Sequence, residues 1–373
     1  MKPTEVLYEV EGPAFFITSI GLSNYFFFKK RELEESDLYL VCIAESDEIE
    51  ALKEGRLSIR GAMNKRIGWL VEICPKGSVI RFQEQSHDVF VALLPAPGLA
   101  LYAKFGNVPD SLIQANSLMA FKFYSDSMHD KSMPLRLLTE TVEGVSKFVK
   151  GVLTPSALLE GRDGRFFDVR VNEPVFASLL ISIDAPSVDA VGLRENKRTQ
   201  NLSVAELESA SIERGRETWS VIQDAVRSYT GSSVTKFNAV EHREFLDNIV
   251  DLMPTESNDF SKIEITFRAG ARTEIVAIDR IIGEKFVKDH SDLDGQVLSI
   301  EGVITEVNGE SGTFLIRDNS YSTTTCNPQG DLFQQLDDAG YMNRGQRMKV
   351  TGKYWRRTRR GFISFSAYPV ILE

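Results

Sequence analysis

The sequence is short of cysteine, histidine and positive charge, and each shortage closes off a class of explanation. Its three cysteines, Cys42, Cys74 and Cys326, are odd in number and far apart. They can form neither a disulfide framework nor a local CxxC metal site. They read instead as small apolar residues in or beside strands. The four histidines, His87, His129, His242 and His290, fall in no HxH or HExxH spacing, so no metal site has local support. No GxSxG elbow, Walker loop or post-strand GxGxxG occurs, so hydrolase, nucleotide and dinucleotide readings lack their marks. No active site is legible, and no cofactor or metal is expected. Apolar runs stop short of the roughly eighteen residues a membrane span needs. The opening MKPTEVLYEVEG carries no apolar segment of signal-peptide length. A cytoplasmic bacterial protein without membrane contact is the expectation. The formal net charge of −10 disfavours adhesion of the whole molecule to nucleic acid, so any such contact must be local.

What is present is ordinary globular material. With 373 residues, 42% hydrophobic and 26% charged, two or three folded domains are expected. Up to about residue 100 the runs LYEVEGPAFFITSIG, NYFFFKK, DLYLVCIA, WLVEICPKGSVIRF and VFVALLPAPGLALY are short, aromatic or β-branched, and separated by turn residues. That is the signature of an antiparallel sheet. Ser46 followed by acids, with Gly55 as a stop, predicts a helix over 47–54. The stretches GPAFFITS and DLYLVCIAESDEIEALKEGRLSIRGAM, with the element ALKxGRLSxRxA, resemble the N-terminal pattern of an uncharacterised bacterial domain family. The resemblance covers about the first 65 residues and implies a fold relationship without an activity.

Further on, Leu138, Val142, Val145 and Val149 lie at helical spacing, and a boundary is placed near 155–165. FFDVRV and VFASLLISID read as strands. Asp163, between Gly161 and Gly164, reads as a hairpin turn. Ser203 and Glu206 suggest a capping box, with Trp219, Ile222, Val226 and Tyr229 continuing one apolar face. A helix over 239–253 carries Phe245, Ile249 and Leu252 and stops at Pro254. IEITFRAG reads as a strand leading to a helix that carries Ile278, Ile281, Ile282 and Phe286. Glu264 and Arg268, on one face of that strand, suit a cross-strand salt bridge better than a nuclease carboxylate.

From about 293 the order is three strands, a short helix (DLFQQLDDAG) and two strands. In that order, and in the mid-strand glycines Gly302 and Gly352, this part resembles the OB-fold, a small Greek-key barrel. The expectation is thus an α+β, multi-domain chain: a β-rich N-terminal domain (1–160), an α+β middle domain (161–290) and a C-terminal OB-like β-barrel (291–373).

Between the last two strands lies KYWRRTRRGF, residues 353–362. Such hairpins in OB-folds grip oligonucleotides. Arg344, Arg347, Lys349, Lys353, Arg356, Arg357, Arg359 and Arg360 supply charge for phosphates, and Tyr354, Trp355, Phe362 and Tyr368 supply planes on which bases stack. By alternation Tyr354 and Trp355 cannot both point inward. Glu306 and Glu310 in the opposite loop oppose a phosphate backbone. Two non-enzymatic readings lead, an accessory protein binding single-stranded nucleic acid through this hairpin, and a protein-interaction, inhibitor or immunity-type subunit, for example of a defence or toxin system; a third, an enzyme whose scattered residues converge only in three dimensions, stays open. In the second, acidic surfaces meet a basic partner or another copy, and the hairpin guards a sheet edge.

Overall fold

The computed structural model describes residues 1–125, 133–158, 163–172, 179–197, 199–233, 236–270, 272–318, 323–356 and 361–372. The chain is mixed α+β with strands in three sheets. It divides into two compact units, residues 1–120 with 265–275, and 121–264 with 276–373.

The first unit is built on a six-stranded antiparallel meander. Its strands are β1 (Glu5–Glu9), β2 (Pro13–Ile20), β3 (Ser23–Glu32), β4 (Asp37–Ala44), β5 (Gly68–Ile73) and β6 (Val79–Gln85), paired in chain order. The aromatic runs AFFI and YFFF follow from burial on both faces of this sheet, because successive side chains point to opposite sides. Phe15, Ile17, Phe26, Leu40 and Cys42 join one core with Ala51, Leu52, Leu57 and Phe90. Phe16, Phe27, Tyr39, Val41, Val71 and Ile73 form another on the reverse face, where the Phe16 and Phe27 rings stack at 4.9 Å.

The helices are α1 (Ser46–Lys53), α2 (Ile59–Met63), α3 (His87–Leu93) and α4 (Leu112–Asn116). The ALKEGRLSIRGAM element is structural throughout. Gly55 ends the first helix at φ +71°, where a side chain would meet the Phe105 ring. Ser58 caps α2 by accepting from Gly61 N, and Arg60 donates to Pro95 O at 3.0 Å. VFVALL, expected as a strand, is helical in α3, packing Phe90 into the first core.

A second sheet has the strand order β11-β10-β7-β9-β8. Its members are β7 (Met119–Ser125), β8 (Phe167–Val171), β9 (Leu179–Val188), β10 (Phe260–Ala269) and β11 (Arg272–Asp279). The second unit adds α5 (Leu135–Leu153), α6 (Ala190–Glu195), α7 (Val204–Tyr229), α8 (Arg243–Ile249) and α9 (Arg280–Ser291). Three local expectations are corrected. RTEIVAID is a strand, with Thr273, Val276 and Ile278 buried, and the helix begins only where the Asp279 side chain accepts from Ile282 N. Ser203 sits at the N-cap of α7 without a side-chain cap bond, whereas Glu45 and Glu48 make a reciprocal capping box on α1. On α5 the inward stripe runs through Leu137, Val145, Phe148 and Val149, leaving Val142 exposed.

The C-terminal segment supplies β12 (Val297–Asn308), β13 (Thr313–Arg317), β14 (Thr323–Pro328), α10 (Leu332–Asp338), β15 (Arg347–Arg356), β16 (Gly361–Phe365) and β17 (Val370–Leu372). The order β12-β13-β14-β16-β15 closes on itself through β12–β15, and only the β14–β16 pair among these is parallel. This closed five-stranded barrel is compatible with an OB-like fold. It is filled by Leu298, Ile300, Ile304, Phe314, Ile316, Cys326, Met348, Val350, Ile363 and Phe365, all buried. Gly302 and Gly352 matter here because a Cβ would collide with the carbonyl oxygens of Arg317 and Ser364. Neighbouring backbone approaches the barrel strands closely at these two points.

Candidate nucleic-acid interface

Alternation along β15 sends Met348, Val350 and Tyr354 inward and Arg347, Lys349, Thr351, Lys353 and Trp355 outward. The two consecutive aromatics therefore take different roles. Tyr354 is 2% exposed, and the Arg243 guanidinium lies over its ring at 5.3 Å. Desolvation pushes its phenol up to about 12. It offers no plane to a ligand and drops out of the binding set. Trp355 is 37% exposed and lies against Phe362, its cross-strand partner, with ring centroids 6.0 Å apart.

The basic cluster, continuous in sequence, is spread in space. Arg344 precedes β15 and Arg347 opens it, so eight residues of strand, about 25 Å, separate Arg347 from Trp355. Arg347 is bonded to Glu301 at 2.9 Å, and Lys349 stands opposite the same glutamate in the β12 register. Glu301 offsets part of the positive charge at this end of the strand. Lys353 alone, of the cations at 344–353, flanks the aromatic pair. The side chain of Arg356, and Arg357, Arg359 and Arg360 altogether, lie outside the described residues.

The barrel supplies instead a surface that the sequence did not single out. The register aligns Leu315 with Thr325, Thr325 with Phe362, and Phe362 with Trp355, one outward row across four strands. Beside it run Asn327, Ser364 and Lys353 on one side, and Arg317 with Thr323 on the other. With Thr313, these are the outward residues of β13, β14, β16 and the distal part of β15, and none is acidic. In a chain with 53 acids, a face of hydroxyls, an amide, two cations and an aromatic pair stands apart. A period-2 count within each strand would have sorted the same residues outward; their alignment needed the barrel register.

The structure also gathers ionisable groups that are far apart in sequence. His290 Nε2 meets Asp247 Oδ1 at 2.7 Å. Arg243, one turn before Asp247 on α8, bonds Asp247 at 3.0 Å and Asp318 at 2.9 Å. Their side chains are between 1% and 13% exposed, so no substrate reaches the His–Asp pair and the cluster reads as a buried tie between α8, α9 and the barrel. The Arg243–Asp247 spacing of four was the one available sequence signal. Glu264 accepts from Tyr124 at 2.6 Å and Lys262 at 2.5 Å, while Arg268 donates to Asn116 O, so their cross-strand pairing is not made. His242 stacks on Phe237, and His87 Nδ1 lies 3.1 Å from Lys65 O. His129, Asp130 and Gly161 lie outside the described residues. Among the described residues no group of three or more His, Cys, Asp or Glu is placed to hold a metal ion, and no helix is long and apolar enough to cross a membrane.

A groove of about 640 Å³ runs beside α7, lined by Leu202, Glu206, Leu207, Glu213, Arg214 and Glu217 among others. Arg214 is engaged there, donating to the carbonyls of Gly151 and Thr154 at the end of α5.

No protein-family model matches the chain, and no curated protein or solved structure matches it either.

Proposed function

We propose that this protein binds single-stranded nucleic acid on the outer face of its C-terminal barrel. The observation carrying this reading is the acid-free face centred on Trp355 and Phe362, with Lys353 beside the rings and Arg317 on the same face two strands from Phe362. Exposed aromatics accept bases of any identity by stacking, and neighbouring cations hold the backbone. The arginines at 356–360 follow Trp355 directly in sequence and add to the charge available. Short hydroxyl and amide side chains on β13, β14 and β16 complete the face with neutral hydrogen-bonding groups. Single strands are favoured over duplex because only unpaired bases expose their planes to the rings.

Fluorescence anisotropy with labelled single-stranded DNA, RNA and duplex, at low and near-physiological salt, tests this. Binding that weakens with salt, and weakens again in Trp355→Ala, is the expected result. Absence of binding at low salt would overturn the proposal.

The acidic groove along α7 favours a second reading, a subunit docking a basic protein segment. In that case a second chain co-purifies and survives nuclease treatment, and replacing Glu206, Glu213 and Glu217 with lysine releases it.

A further inference from the structure

β6 stands apart from every other strand of the first unit. It is an edge of the six-stranded sheet, and all of Val79 to Glu84 is exposed, on both faces. Ile80 is 56% and Phe82 71% exposed. Edge strands in soluble proteins are normally short, lysine-rich, proline-containing or covered, because their free N–H and C=O groups template pairing with another chain. β6 has neither lysine nor proline in its seven residues. Its one irregularity, the register shift between the Glu72–Arg81 and Ile73–Val79 pairs, leaves Arg81 to Gln85 as a regular, unpaired edge.

The strand is also self-complementary. A two-fold axis perpendicular to a sheet joins two copies of one edge antiparallel and keeps each face on its own side, so residues opposite one another must be an even number of positions apart. Pairing centred on Arg81 or on Glu84 sets like charges against each other, which is unfavourable. Pairing centred on Phe82 or on Gln83 opposes no like charges and brings the two Phe82 rings together, directly or diagonally. The strand carries one cation and one anion, so two copies meet there without the repulsion that a net charge of −10 brings elsewhere. From this we infer that the chain forms a two-fold dimer by antiparallel β6–β6 pairing, which merges two six-stranded sheets into one.

Sedimentation or light scattering of the full chain reads the mass. The expected result is twice the chain's mass for the wild type and the single mass for Phe82→Lys, with the same melting temperature. A Gln83→Cys variant keeps Phe82 and reports the contact, since directly or diagonally opposed Gln83 positions, at most about 8 Å apart, lie within the span of a short bismaleimide, which cross-links them beyond the wild-type level. A monomeric wild type overturns the inference. So does a dimer that survives Phe82→Lys without a Gln83→Cys cross-link. Should Phe82→Lys fail to fold, the cross-link decides alone: its presence supports the pairing and its absence refutes it.

Discussion

Replacing Arg243 with Met is the sharpest test of how the barrel is held. Arg243 is 6% exposed in its side chain and bonds both Asp247 and Asp318, the latter 1% exposed. Removing the cation takes from Asp247 and Asp318 the partner they share, with little water to replace it. Such a loss costs about 3–5 kcal/mol, a large part of the roughly 5–15 kcal/mol that stabilises a typical domain. The cation over the Tyr354 ring disappears as well. Removing all the charges together, in Arg243→Met/Asp247→Asn/Asp318→Asn, should recover most of the loss, because the ions' own desolvation penalty goes with them. The assay is urea denaturation followed by tryptophan fluorescence in a Trp69→Phe background, which leaves Trp219 and Trp355, both in the second unit, as reporters. A midpoint displaced by the equivalent of less than about 1 kcal/mol in the single variant would show that this cluster contributes little, and the account of it as a tie would be wrong.

Trp355→Ala should weaken single-strand binding by the loss of one stacked base, about 1–3 kcal/mol or roughly 5- to 150-fold, with little change in melting temperature; unchanged affinity would remove Trp355 from the site. Gly352→Ala should destabilise the barrel by about 1–3 kcal/mol through the collision with the Ser364 carbonyl, read as a lowered unfolding midpoint; a neutral effect would mean the strands have room to part. Burial pushes the Tyr354 phenol up from its ordinary 10.0 to about 12. The folded state therefore keeps a proton that the unfolded chain gives up, and stability that is intact below pH 10 declines between 10 and 12. Tyr354→Phe should flatten that part of the alkaline unfolding curve. Burial raises the Cys42 and Cys326 thiols, while a hydrogen bond from the Ser78 backbone lowers Cys74. A thiol reagent should therefore modify one cysteine in the native protein and all three on denaturation, with the native reaction lost in Cys74→Ser.

The alternating aromatic runs, the turn glycines and the switch from period 2 to helical spacing were enough to read the antiparallel meander, most of the helices and the strand–helix–strand order of the barrel. These are local properties, set by which way successive side chains point and by what the backbone tolerates at a turn. Where two local patterns competed, as in VFVALL and in TEIVAID, the short apolar run suited helix and strand alike, and packing chose between them.

The site was legible only in part. KYWRRTRRGF contains Trp355 and Phe362, the aromatic pair at the centre of the proposed face, and alternation required Tyr354 and Trp355 to part. Tyr354 falls in the inward phase of β15 with Met348 and Val350, under Arg243, which stands more than a hundred positions earlier in the chain. Arg344 and Arg347 looked like members of one basic patch because they are close in sequence, but an extended strand carries its ends far apart and Glu301 answers the charge of Arg347. Leu315, Arg317, Thr325, Asn327 and Ser364 carry no signal of their own. They become one face because closure of the barrel fixes the register of four strands, and register is a relation between distant segments that no single stretch of sequence contains.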